Sequence, residues 1–168
     1  MLIGLISDTH IAFPYQILPH QVADAFRGVD LILHAGDIWI PSVLDELEVV
    51  APVKAAWGDD DMEADLGDDT RMMKEDTLFL DGVTLRMTHV KPSYSLITPK
   101  EESSSSTEDH PDVIVFGHTH FATIEHYKGV LLVNPGSATV PSYLPKLGNV
   151  ALLSINSGKV TARILQLE

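Results

Sequence analysis

Seven side chains able to ligate a metal ion follow short apolar runs. Asp8 and His10 occur in SDTH, Asp37 in HAGD, Asp59 in WGDDD, His89 in MTHV, and His118 and His120 in FGHTH. Oxygen and imidazole donors suit Mn, Zn, Fe or Ni. A thiolate site is excluded, because the chain contains no cysteine. Seven donors exceed what one ion normally accepts, whereas two ions sharing a bridging carboxylate would use them all. Each signature alone has an ordinary reading: a capping Asp beside a surface His, a turn after a strand, a polar strand exit. Their recurrence at five successive strand ends favours a metal centre.

These residues can meet only if the chain brings those strand ends to one edge. Residues 2–7, 30–34 and 53–57 read as strands. Between the first two, Leu18, Val22, Ala25 and Phe26 recur at helical spacing, with Pro19 suited to a first helical turn. Pro41 opens a second helix with Val43, Leu44 and Leu47 on one face. This β-α-β-α-β order predicts three parallel strands. Further on, residues 77–80 and 83–88 flank Asp81-Gly82, a strong hairpin signal. Residues 113–116 form an apolar strand. Residues 122–126 and 130–133 flank Tyr127-Lys128-Gly129, and 150–155 and 160–166 flank Asn156-Ser157-Gly158. Three hairpins after an α/β half predict two sheets packed face to face with helices outside. Ligands bind beyond the carboxyl ends of parallel strands, so three Asp and four His should gather at one edge. Residues 100–110, KEESSSSTEDH, read as a mobile surface loop. No internal repeat or boundary is visible, so residues 1–168 read as one domain long enough to bury a core.

Composition narrows the partners. The net charge is −13, from 11 Lys and Arg against 24 Asp and Glu. So acidic a surface disfavours long nucleic acid, yet a small phosphate ester can still be drawn to a locally positive, metal-bearing pocket. No apolar run is long enough to span a membrane, and residues 2–6 lack a basic leader. With no cysteine, the expectation is a cytoplasmic protein without membrane contact; self-association is left open. No phosphate-binding Gly-Lys loop, H-E-x-x-H or G-x-S-x-G occurs. An EF-hand read from Asp59 fails, with Ala64 at the required Gly and Thr70 at the closing Glu.

The order D-x-H, G-D, a G-N-x-D-like run, a His after a hairpin strand and then G-H-x-H resembles the calcineurin-like metallophosphoesterases, specifically their small YfcE-like phosphodiesterase branch. Residues 134–139, NPGSAT, are similar to a stretch that follows G-H-x-H in that branch. The resemblance implies an α/β fold, a four-layer α/β/β/α sandwich of two mixed sheets flanked by helices. It also implies two divalent ions per chain, with Mn²⁺ the first choice and Ni²⁺, Zn²⁺, Fe²⁺ or Mg²⁺ as alternatives. Asp8, His10 and His120 would hold the first ion, Asp37 would bridge, and Asp59, His89 and His118 would hold the second. A hydroxide shared by the ions would attack phosphorus in line, hydrolysing a small phosphate ester, preferably a diester. His34, common before G-D in such proteins, would support its strand end without ligating.

Two departures qualify this pattern. The family usually has Asn at the position of Asp59, and a subset has His at that of Asp60; the metallophosphoesterase-like subunit of the retromer coat shares the Asp. The alternative is therefore a catalytically weak, metal-holding interaction module on the same fold. Lys91 stands where a second His often follows His89, either as a phosphate contact or as a solvated loop lysine. Residues 57–69, WGDDDMEADLGDD, hold seven carboxylates in thirteen positions. Only Asp59 is expected to ligate, with Asp60 and Asp61 nearby and Glu63, Asp65, Asp68 and Asp69 as solvated loop. With Asp60 in place of an imidazole, no obvious acid assists the leaving alkoxide, help typically worth ~10²–10⁴-fold. Activated aryl diesters should therefore be cleaved far faster than alkyl diesters. A rate independent of leaving-group pKa would refute this.

Overall fold

The computed structural model describes residues 1–73, 76–97, 110–139 and 147–168. Strands β1 (Leu2–Ile6), β2 (Leu31–His34) and β3 (Val53–Ala55) alternate with helices α1 (His20–Ala25) and α2 (Pro41–Glu48), and a short helix α3 (Glu63–Leu66) follows. The second half adds β4 (Thr77–Leu80), β5 (Val83–Met87), β6 (Val113–Val115), β7 (Thr123–Tyr127), β8 (Val130–Asn134), β9 (Asn149–Asn156) and β10 (Lys159–Gln166). They form two five-stranded mixed sheets, ordered β10-β9-β1-β2-β3 and β4-β5-β6-β8-β7. As the alternating pattern predicts, β1, β2 and β3 are parallel. The second sheet has its own parallel centre, β5-β6-β8, with antiparallel β4 and β7 at its edges.

All three hairpins close through two residues with positive φ: Asp81-Gly82, Lys128-Gly129 and Ser157-Gly158. That is the backbone of the tight turn whose twist matches paired strands. The middle hairpin thus turns on two residues, and Tyr127 stays in its strand opposite Val130. The last hairpin does not extend the second sheet; β9 pairs antiparallel with β1. Its apolar residues explain this choice. Ala151, Leu153 and Ile155 join Ile3, Leu5, Leu31 and Leu33 on the inner face, against Val83, Leu85, Met87, Val113, Val115, Leu131 and Val133 of the other sheet.

Alternate residues of the first sheet point outward. Ile6, Ile32, Val150 and Leu152 pack with Val22 and Phe26 of the α1 segment and Val43, Leu44 and Leu47 of α2. Outside the second sheet, Ile114, Phe116, Val130 and Leu132 pack with Ile97, which follows a 3-10 turn at Tyr94–Leu96. The helical cover is thus unequal among the described residues. The serine-rich stretch expected as a surface loop lies, except for His110, outside them. Arg71 ties α2 to the segment beyond α3, bonding Asp45, Glu48 and Asp69. Asp69 is therefore not solvated loop as the sequence suggests. Its paired bonds from the Arg71 guanidinium hold its carboxyl below the usual carboxylate range.

Leu85 is fully buried between the sheets. Leu85→Ala should cost about 2–5 kcal/mol in urea unfolding, because the lost methyl groups leave a cavity. Phe79→Ser, at a position 61% exposed, should change stability by no more than about 0.5 kcal/mol. Equal costs at the two positions would contradict the assignment of the core.

Candidate metal centre

Strands β1, β2, β3, β5 and β6 end at one edge, where the seven candidate ligands meet. They fall into two groups, Asp8, His10, Asp37 and His120, and Asp59, His89 and His118; within each, one potential ligand atom per residue lies within 4.8 Å of the others. Asp37 joins the groups, its Oδ2 lying 3.5 Å from His10 Nε2 and 3.2 Å from His89 Nε2. Asp37 thus lies between the two sets.

Three strands stop one or two residues short of the ends read from the sequence. Ile6, Ala55 and Val115 are the last paired residues, because the next segments must turn their side chains inward. Asp8, His10, Asp37, His118 and His120 all have positive φ, between 46° and 67°. Such backbone is uncommon for residues other than glycine and must be held by its surroundings. The loops also run very close together. A Cβ on Gly58 would sit 2.1 Å from Asp37 Oδ1, so this approach requires glycine.

Hydrogen bonds hold these loops in place. Asp8 is fully buried and accepts from Ser7 Oγ at 2.5 Å and from the His118 backbone N–H at 2.9 Å. Ser137 Oγ donates to the Asp8 carbonyl at 2.6 Å, and Thr139 Oγ1 to that of Thr9 at 2.5 Å. Asn134 Nδ2 donates to the Gly117 carbonyl at 2.8 Å. The NPGSAT segment is thus a brace between the SDTH and FGHTH loops, a role that its sequence did not disclose. Trp39, also missed, meets the His10 ring edge-on with centroids 5.0 Å apart.

Asp61, which the sequence places only near the site, accepts four backbone N–H groups. Ile38 and Trp39 donate to Oδ1 at 2.7 and 2.9 Å, and Gly58 and Asp37 to Oδ2 at 2.8 and 3.0 Å. The local clue is its place as the closing Asp of the G-N-x-D-like run. Asp60 N–H donates to Asp37 Oδ1 at 3.0 Å, and its exposed carboxylate lies 3.9 Å from His10 Nδ1. Glu63, Asp65 and Asp68 are exposed. Lys91, a possible phosphate contact, instead pairs with Glu125 and donates to Tyr94 Oη at 2.8 Å. It also lies over the Tyr94 ring.

The donor atoms suit cations. His89 Nδ1 faces the Ala35 carbonyl at 2.8 Å and must donate to it. In the neutral ring Nε2 then carries a lone pair, yet it is buried without a hydrogen-bond partner, 2.8 Å from Asp59 Oδ1 and 3.2 Å from Asp37 Oδ2. A lone pair facing two carboxylates needs a proton or a cation between them. His10 Nε2 and His120 Nε2 likewise face each other at 3.1 Å. Burial pushes the Asp37 carboxyl above its ordinary range, opposed by the Asp60 N–H and the nearby imidazoles.

Residues 1–158 match the calcineurin-like phosphoesterase superfamily domain. The chain belongs to that superfamily. A probable metallophosphoesterase of Methanothermobacter thermautotrophicus is 35% identical over 170 residues, spanning 99% of this chain and 92% of that protein. A phosphodiesterase of Methanocaldococcus jannaschii is 25% identical over 172 residues, 99% of this chain and 100% of its own. A solved archaeal phosphodiesterase shares the fold with a TM-score of 0.67 at 24% identity, covering 98% of this chain and 100% of its own. No helix among the described residues is long and apolar enough to cross a membrane.

His34 lies beneath the site, fully buried, with Nε2 3.1 Å from Thr9 Oγ1. Burial lowers its pKa from 6.5 to about 3, so it stays neutral in the fold. The unfolded chain takes up this proton first, so stability should fall as pH drops from 6.5 toward 3. The contribution is at most about 1.4 kcal/mol per pH unit. Urea unfolding of the metal-free His34→Gln variant should show a correspondingly shallower acid limb. Parallel limbs for variant and wild type would show that His34 does not titrate on unfolding.

Proposed function

We propose that the chain is a metal-dependent phosphodiesterase that holds two divalent ions and hydrolyses a small phosphate ester. The observation that carries this reading is His89 Nε2, buried, unpartnered and aimed at Asp37 and Asp59. Asp8, His10 and His120 would bind one ion, Asp59, His89 and His118 the other, and Asp37 both. Such a pair of ions supplies Lewis acidity and a water acidic enough to attack phosphorus in line near neutral pH.

The protein's own part is to fix and to expose. Asp8, Asp37 and His89 are buried and would set the position of the ions from below. The side chains of Asp59 and His118 are 55% and 47% exposed, which leaves that side open to a phosphate group. Mn²⁺ remains the first candidate on the family resemblance, and the oxygen and imidazole donors admit it alongside Zn²⁺, Fe²⁺ and Ni²⁺. The similarity to a protein named a phosphodiesterase supports a diester rather than a monoester as the substrate here. Charge supports a small substrate, since a chain of net charge −13 repels a polyanion except where bound cations offset it.

The test is turnover of an activated phosphodiester and monoester after reconstitution with Mn²⁺, Ni²⁺, Zn²⁺ or Mg²⁺, with elemental analysis of the same samples. Two ions per chain and faster diester cleavage are expected, and Asp37→Ala should lose turnover and most binding of both ions. Near-normal turnover of Asp37→Ala would refute the shared ligand. Two bound ions without turnover on either ester would instead favour the metal-holding interaction module.

A further inference from the structure

The segment from Gly36 to Trp39 has an unusual backbone, with φ of 93° at Gly36, 57° at Asp37 and 78° at Trp39. Left-handed φ at a tryptophan is rare, because its side chain crowds the backbone there. The outcome is that three consecutive N–H groups, those of Asp37, Ile38 and Trp39, turn to one point. Successive N–H groups arranged like this form a nest, a concavity that binds anions. Here the anion belongs to the chain, since the Asp61 carboxylate fills the nest and takes a fourth N–H from Gly58.

We infer that Asp61 is the positioning residue of the metal centre, a built-in anion that locks the loop carrying Asp37 onto the loop carrying Asp59. This rests on the two-metal reading above. Asp61 is absent from both ligand groups, and its carboxylate faces backbone rather than the cluster. Each of its oxygens serves both a location and a direction. Oδ1 fixes Ile38 and Trp39, and so the ring that lies against His10. Oδ2 spans Asp37 and Gly58, the points where the two loops touch. The Asp60 N–H then orients the Asp37 carboxylate from the same short segment. A carboxylate accepts at both oxygens, whereas an amide would turn an N–H₂ toward two N–H donors. The position therefore requires the anion as well as its size.

The test uses Asp61→Ala, whose vacated nest should admit formate, a carboxylate without the side-chain stem. Two readouts are taken, with wild type treated alike. In the metal-free protein, ¹⁵N–¹H spectra follow the amides of Asp37, Ile38, Trp39 and Gly58. In Mn²⁺ titrations, affinity is measured without any substrate. The variant should shift those four amides toward exposed values and bind Mn²⁺ about 10- to 100-fold more weakly, as expected when a group supporting a ligand is lost. Formate should restore both, which a general loss of stability would not allow. Asp61→Asn, which keeps the size and half the acceptors, should bind Mn²⁺ with intermediate affinity and decides the matter should the alanine variant not fold. Mn²⁺ affinity within twofold of wild type in either variant overturns the inference. So does weak affinity that persists once formate has restored the amides. Wild type that binds no divalent metal would refute the two-metal reading itself, a result distinct from both.

Discussion

A buried carboxylate is tolerated only where hydrogen bonds or cations replace the water it has lost. Among the described residues two carboxylates are buried, those of Asp8 and Asp37, at adjoining strand ends. Much of the surrounding structure can be understood as their compensation. Asp8 has backbone and hydroxyl donors, from His118 and Ser7. Asp37 has one backbone donor, from Asp60, and lies beside the imidazole nitrogens of His10 and His89. That partial supply leaves Asp37 with its raised pKa, and it makes Asp37 the natural place for a cation to be shared.

Two sheets are needed to surround these carboxylates. One supplies Asp8, His10, Asp37 and Asp59 beyond β1, β2 and β3; the other supplies His89, His118 and His120 beyond β5 and β6. Since the strands within each group are parallel, their carboxyl ends face the same way. The apolar layer between the sheets then holds the acidic loops against the imidazole loops. The distance from His118 Nδ1 to Asp59 Oδ1, 3.1 Å, is thus a consequence of inter-sheet packing as much as of either loop.

Close to the centre, propensity gives way to tertiary support. Five of the seven candidate ligands adopt backbone that their residue types rarely choose. The bonds that hold them come from elsewhere: Ser137 and Thr139 brace the first loop, Asn134 the last, and Asp61 the two between. The local sequence of each loop would not maintain its shape alone. Rigidity there suits a site that must keep several like charges together before any ligand arrives.

Periodicity and turn chemistry sufficed for the elements. Apolar runs marked the strands, helical spacing marked the helices on the outer face, and X-Gly pairs marked the hairpins, because each depends on neighbours a few residues apart. The candidate ligands were equally legible, since each stands at a strand end and its chemistry belongs to the side chain. What the sequence did not disclose depends on contacts across the chain. That β9 would join β1, that Lys91 would be taken up by Glu125, and that Asp69 would bind Arg71 are outcomes of packing. The acidic run shows the division most clearly. Its seven carboxylates look alike along the chain, but the fold gives Asp59 to the cluster, Asp61 to a backbone nest, Asp69 to an arginine, and leaves Glu63, Asp65 and Asp68 in water. The role of a carboxylate follows from the donors it meets, and most of those donors lie far from it in sequence.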